Sequence, residues 1–158
     1  VIARVQGAAA AAGCQLVAQC DLAIAADSAK FVTSGVSWGF FCSTPGVAVG
    51  RNLQRKHAME MLLTGDPIDA QRAMEWGLVN RVVSPEKLNE ETDALARKIA
   101  EKPPATVAAG KRGFYQQMDL NLAEAYKLAG QVISSSFAHD EGRAGMEAFI
   151  DKKPPPKH

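Results

Sequence analysis

The opening run "VIARV", Val1 to Val5, is short and β-branched and reads as a buried strand, which Gly7 ends. Ala9 to Gln19 reads as a helix, because alanine has the highest helix propensity. "DLAIAAD", Asp21 to Asp27, reads as a second strand and Phe31 to Thr33 as a short third one. Strand, glycine turn, helix and strand in this order make a crossover unit of α/β type. "SGVSWGFFCSTPGVAVG" shows no helical period and reads as a loop over a pocket or an interface. Helix follows from about Arg51 to Leu63, with Leu53, Met59, Leu62 and Leu63 as its apolar contacts. Asp69 is placed to cap a helix over Ala70 to Trp76, Gly77 supplies the left-handed position after it, and "LVNRVV" alternates as a strand.

Beyond that point the period is helical. Ser84 caps a helix with Pro85 at its first position, and Leu88, Leu95 and Ile99 share one face. Pro103 and Pro104 separate it from a helix over about Ala105 to Met118. Asn121 and Glu124 form a capping pair for a long helix to about Phe137, and Asp140 caps a last helix ending near Ile150. The tail "KKPPPKH" is charged and Pro-rich and reads as mobile unless a partner holds it.

Composition narrows the classes. With 158 residues and 47% hydrophobic positions the chain is long enough for one domain or a large piece of one. A net charge of +1 gives no footprint for nucleic acid or an anionic surface. There is no apolar run long enough to span a membrane, and no signal peptide is recognisable. The chain opens on a strand-like segment without Met, which suggests a fragment whose natural start lies upstream. Cys14, Cys20 and Cys42 form no C-x-x-C pair, and His57, His139 and His158 lie far apart, so no metal-ligand spacing is present. Reduced thiols in a cytosolic or matrix compartment are the simplest reading.

The alanine run "GAAAAAGCQL" has two readings. Small side chains let a helix pack closely, or they clear the way for a ligand to reach backbone N–H groups at a helix N-terminus. "ARVQGAAAAAGCQLVAQCDLAIAADSAKF" resembles the crotonase superfamily, the enoyl-CoA hydratase/isomerase family, with Gly7, Ala9, Gly13, Cys14, Leu16, Cys20, Asp21, Ala29 and Phe31 in its order. "AMEMLLTGDPIDAQRAMEWGLVNRVV" resembles its next block and "DEGRAGMEAFIDKK" its C-terminal helix. "AAGCQL" with "GFFCSTPG" resembles a hydratase-domain-containing subgroup of that family.

The resemblance implies an α/β fold of the crotonase-like ββα spiral type. Residues 1–83 would form the C-terminal part of the spiral core and residues 84–158 a helical oligomerisation region, with the family's N-terminal half upstream. It implies binding of acyl-CoA thioesters, with the Ala12 N–H as one of two donors to the thioester carbonyl. The hydratases use two glutamates to hold water and move a proton; these positions fall on Gln15 and Gly35, neither of which titrates near neutrality. Ordinary hydratase activity is therefore not expected. Phe149 and Lys152 match a pair that approaches the coenzyme A nucleotide. No further cofactor is implied, and the expected assembly is a homo-trimer or hexamer, in the cytoplasm of a bacterium or the mitochondrial matrix of a eukaryote.

Other chemistry competes weakly. Cys42 would need a base such as His57 to act as a nucleophile, and reads otherwise as a small core residue. His57 itself reads otherwise as a surface or interface residue. Asp21 reads as a strand cap. Trp38, Phe40 and Phe41 line an acyl pocket or pack against core or partner. Two functions stay open: an acyl-CoA enzyme of hydratase, isomerase or lyase type, and a non-catalytic acyl-CoA binder or oligomeric partner. A purely structural helical protein is the remote third.

Overall fold

The computed structural model describes residues 1–156; Lys157 and His158, the end of the tail read above as mobile, lie outside the described residues. Two compact units divide the chain, Val1–Ala96 and the residues from Arg97 onward.

In the first unit, β1 (Ile2–Val5), β3 (Leu22–Ala26) and β6 (Arg81–Val83) form one parallel sheet in the order β1-β3-β6. A second small sheet holds β2 (Ala8–Ala10), β4 (Lys30–Val32) and β5 (Ile68–Asp69), with β2 parallel and β5 antiparallel to β4. Between β2 and β3 runs α1 (Ala12–Gln19). After a 3₁₀ turn over Ser34–Trp38 come α2 (Ser43–Asn52), α3 (Arg55–Thr64) and, beyond β5, α4 (Ala70–Glu75). The core between these layers is built around Cys14, Phe31, Val49 and Met61, all fully buried. Thr33 is buried with them and its hydroxyl donates to the Met61 carbonyl at 3.0 Å. Asn52 ties α1 to α2, its side-chain amide donating to the Ala18 and Ala48 carbonyls at 2.9 and 2.8 Å.

Several expectations need correction. The alanine run is not one helix: Ala8–Ala10 pair with Lys30–Val32 as a strand, and α1 starts only at Ala12. Propensity is a weak local preference, and here a neighbouring strand with open hydrogen-bonding groups overrides it. The segment read as a loop holds the 3₁₀ turn and α2. Pro45 sits in the first turn of α2, where its missing N–H costs nothing. Gly46 faces α3, where a Cβ would stand at contact distance, 3.4 Å, from Leu62 Cδ1. The helix expected from Arg51 to Leu63 is broken at Leu53, which is extended and buried. Of its proposed contacts, Leu53 and Leu62 are buried, while Met59 and Leu63 are exposed in this unit.

Caps fare better. Asp69 Oδ1 accepts the Arg72 N–H at 2.8 Å, and Gly77 takes φ 88° after α4. Ser84 precedes a 3₁₀ turn, Pro85–Lys87, without a side-chain cap bond to the backbone, and α5 (Leu88–Ala100) follows. Leu88 packs with Ile24 and Ala26, so the start of α5 closes the outer face of the first sheet.

The second unit contains α6 (Pro104–Gln117), α7 (Leu122–Ala138) and α8 (Asp140–Ile150). Asn121 Oδ1 caps α7 through the Glu124 N–H at 3.1 Å, as expected. The cap of α8 is His139, whose Nδ1 accepts from the Glu141 N–H; Asp140 lies inside the helix and pairs with Arg143 at 2.8 Å. The Glu141 carboxylate accepts both the N–H and the hydroxyl of Thr106, at 3.2 and 3.3 Å, closing the start of α6. A groove of about 560 Å³ between α6 and α7 is lined by Phe114, Leu122, Tyr126, Val132 and Ile133. Leu122 and Tyr126 on its rim are 74% and 73% exposed.

Candidate functional site

The site is built where β2 turns into α1. The Ala11 N–H still donates to the Val32 carbonyl at 2.9 Å, extending the strand pairing by one residue. Ala11 then adopts φ 46°, ψ −109°, a conformation that favours glycine. The chain therefore changes direction within one residue and enters α1 at Ala12. The first bond of the helix runs from the Gln15 N–H to the Ala11 carbonyl, 3.0 Å. The N–H groups of Ala12, Gly13 and Cys14 precede that ladder and have no partner within the helix. Ala12 is exposed, and no acidic side chain stands in the first turn of α1 to neutralise its partial positive charge.

Holding Ala11 in this region costs about 1–3 kcal/mol. Ala11→Gly removes that strain, less about 0.4–1 kcal/mol for the freer unfolded chain. The expected result is a net gain of about 1 kcal/mol, read as a rise of about 2–4 °C in Tm. A fall in Tm would show that the Ala11 methyl makes packing contacts worth more than the strain.

Gln15 is half-buried on the first turn of α1, on the turn that carries Ala12. Gly35 is buried in the 3₁₀ turn, and its N–H donates to Cys42 Sγ at 3.2 Å. Its φ is not positive; the glycines with positive φ are Gly39, Gly65 and Gly77. The obstacle to a side chain at this position is space. A Cβ on Gly35 would stand 2.7 Å from Cys42 Sγ, 2.8 Å from the Phe40 carbonyl oxygen and 3.0 Å from Phe40 Cδ2.

Cys42 lies at the N-terminal boundary of α2 and is 5% exposed. Its partner is the Gly35 N–H rather than an imidazole. His57 stacks instead on Trp76, ring centroids 4.5 Å apart and planes 5° apart, with the Arg72 guanidinium 5.6 Å from the centre of the Trp76 ring. Burial, and then the neighbouring Cys42, push the Cys14 thiol up to about 11. Cys14 is therefore a protonated, inert thiol near neutral pH. The Asp21 N–H donates to the Val1 carbonyl at 3.1 Å, tying the start of β3 to β1. Trp38, Phe40 and Phe41 are exposed rather than packed into this chain's core.

Phe149 and Lys152 lie in the second unit, at the end of α8. Phe149 is 80% exposed, and Lys152 takes φ 55° with its N–H on the Phe149 carbonyl at 3.1 Å. Sequence reasoning missed two features, the strained Ala11 and the Gly35–Cys42 bond. Small residues at both places were visible, but the contacts that give them meaning join parts of the chain only when folded.

Among the described residues no helix is long and apolar enough to cross a membrane, and no group of His, Cys, Asp and Glu is placed to hold a metal.

The family model for enoyl-CoA hydratase/isomerase matches residues 1–157. Enoyl-CoA hydratase domain-containing protein 3, mitochondrial, of Xenopus laevis is 51% identical over 155 residues, which is 98% of this chain and 53% of that protein. The Homo sapiens protein of the same name is 50% identical over 98% of this chain and 51% of its own length. The chain thus spans about half the length of these curated relatives. A solved enoyl-CoA hydratase of Mycobacterium smegmatis superposes with a TM-score of 0.96 at 49% identity, over 99% of this chain and 61% of that one. The solved human enoyl-CoA hydratase domain-containing protein 3 gives 0.94 at 49% identity, over 99% and 62%. The alanine turn, the two small sheets and the C-terminal helices are therefore a crotonase fold, and the chain belongs to the enoyl-CoA hydratase/isomerase family, alongside its hydratase-domain-containing members.

Proposed function

We propose that this chain supplies half of an acyl-CoA thioester site that polarises the thioester carbonyl but lacks the acid and base of hydration. The observation that carries it is the N–H of Ala12, an exposed residue at the start of α1, ahead of the helix ladder and with no acidic neighbour in the first turn. Such a donor stabilises an oxyanion or enolate as negative charge develops on the carbonyl oxygen. Gln15 orients a polar group by hydrogen bonding without exchanging protons. Position 35 has no side chain and no room for one. Phe149 and Lys152 serve the nucleotide end of coenzyme A, which is bound as part of the ligand.

The exposed apolar residues of α6 and α7 support assembly into a trimer or hexamer, since a lone unit would leave the groove wet. The vertebrate relatives carry "mitochondrial" in their names, which supports that compartment for a eukaryotic source.

Calorimetric titration of the full-length protein with butyryl-CoA tests the reading. Saturable binding that free coenzyme A does not reproduce is expected. Equal affinity for butyryl-CoA and coenzyme A would show that the acyl thioester is not recognised. A second reading, a binder with no chemistry at all, is favoured by the closed position 35 and differs in one outcome: no exchange of the acyl α-protons with solvent.

A further inference from the structure

We propose that the polar face of the α6–α7 pair holds a further binding site, a cleft that takes the phosphoryl group of a small phosphate ester. The inference does not depend on the thioester reading above. The two helices touch at Gly113, where a Cβ would stand 2.9 Å from Val132 Cγ2. Gly113 and Val132 line hollows on both sides of that contact. One side is the apolar groove with Phe114, Leu122 and Tyr126. The other side is polar. There a hollow of about 330 Å³ is lined by Arg112, Ser135 and His139, with the small side chains of Ala108 and Ala109 leaving the room. It adjoins a hollow of about 230 Å³ that shares Ala109, Arg112 and Ser135 and adds Gln116 and Gln131. The spacing explains the alignment: Arg112 and Gln116 stand one turn apart on α6, and Gln131 and Ser135 do so on α7.

Donors dominate this cleft. Arg112 carries a planar fork of five N–H groups, and Gln116, Gln131 and Ser135 add amide or hydroxyl donors. None of these four side chains bonds another group among the described residues. His139 uses Nδ1 to accept the Glu141 N–H at 3.4 Å, which leaves Nε2–H as the donor of its neutral ring. No Asp or Glu lines either hollow. The two carboxylates that follow His139 are engaged elsewhere, Asp140 with Arg143 at 2.8 Å and Glu141 with the N–H and hydroxyl of Thr106. A free guanidinium, surplus donors and no lining carboxylate together select an anion. A phosphoryl group offers three oxygens to this set and pairs with guanidinium through two parallel bonds. Two adjoining hollows give more room than a bare ion fills, so the body of the ester extends past Arg112 toward Gln116 and Gln131.

The test uses the full-length protein at constant ionic strength, which holds general charge attraction fixed. Dissociation constants for inorganic phosphate and for glycerol 3-phosphate are read from ³¹P line broadening, with and without saturating butyryl-CoA. Arg112 is exposed, so its replacement leaves the contact of α6 with α7 in place. Arg112→Gln is expected to weaken both ligands about tenfold, the low end for hydrogen bonds to a charged group. Arg112→Lys keeps the charge but loses the fork, and is expected to weaken them about threefold. Arg97→Ala removes an exposed cation outside the cleft and is expected to stay within about twofold of wild type.

Tighter binding of glycerol 3-phosphate than of phosphate would support an ester as the occupant. Equal affinities would support recognition of the phosphoryl group alone, from either source. Absence of saturable binding in the wild type would overturn the proposal. Equal weakening by Arg97→Ala and Arg112→Gln would overturn it too, because the protein would then attract phosphate only as a cationic surface. Displacement of both ligands by butyryl-CoA, with Arg112→Gln without effect, would place the phosphate in the coenzyme A site and overturn it as well.

Discussion

Replacing Ala12 by proline is expected to lower the rate of acyl α-proton exchange by about 10²–10³, the usual loss for one oxyanion-hole donor. The substitution deletes the N–H and little else. Proline is well tolerated at the first position of a helix, where no intrahelical bond is lost. One complication is local: a residue before proline is restricted, and Ala11 already sits at φ 46°. The change is therefore best made together with Ala11→Gly, with Ala11→Gly alone as the reference. Ala12→Gly is the matching control, since it keeps the donor and removes only the methyl. The measurement is loss of the α-proton signal of bound acyl-CoA in deuterated buffer, with the buffer base removing the proton as the Ala12 N–H stabilises the enolate oxygen. Equal exchange rates with proline and glycine at this position would show that the Ala12 N–H does not touch the carbonyl.

The second large effect is expected at Gly35. Gly35→Ala has one favourable component, about 0.4–1 kcal/mol from a less flexible unfolded chain, because its φ is not in the left-handed region. Against it stands overpacking. The Cys42 sulfur at 2.7 Å can rotate away, but the Phe40 carbonyl oxygen at 2.8 Å is backbone and moves only with the turn. Overpacking of this kind costs about 1–3 kcal/mol, so the net effect is a loss of about 1–2 kcal/mol. Gly35→Glu adds a buried carboxylate and is expected to cost more. Chemical denaturation of both variants checks the order. Cys42→Gly in the Gly35→Ala background should recover part of the loss, and full recovery would mean that the backbone clash is not real.

This changes the repair that the sequence invites. Under the proposed reading Gln15 and Gly35 take the places of the hydratases' two glutamates, and restoring both looks like a direct route back to hydration. The structure shows position 15 half-buried with a side chain already in place but position 35 shut. Gln15→Glu is therefore the practical half, and alone it lacks the partner needed to hold water.

Family membership was legible because it rests on local residue order: the glycine and alanine turn, "CD" at the head of β3, and the long block ending in "GLVNRVV". The absence of titratable groups at 15 and 35 was legible for the same reason. Element boundaries were less so. Ala8–Ala10 become a strand only because Lys30–Val32 lie alongside, a pairing that alanine propensity opposes. Helix α2 hid behind Pro45, Gly46 and Gly50, poor helix formers by propensity, although Pro45 falls in the first turn where it is tolerated. His139 capped α8 where Asp140 was the better residue by type, because φ −75°, ψ 150° falls one position earlier. At the site, the sequence named Ala12 but not the strain of Ala11 that aims the chain into the helix. It named Gly35 as an absence, whereas the fold makes it a filled space.

The central claim is that the site engages an acyl-CoA thioester without hydrating it. Proton NMR of crotonyl-CoA incubated with the full-length protein tests both parts at once. The account predicts that the vinyl signals broaden on binding and then persist, with no growth of 3-hydroxybutyryl signals beyond the uncatalysed background. Rapid, protein-dependent conversion of the vinyl signals into 3-hydroxybutyryl-CoA would contradict it.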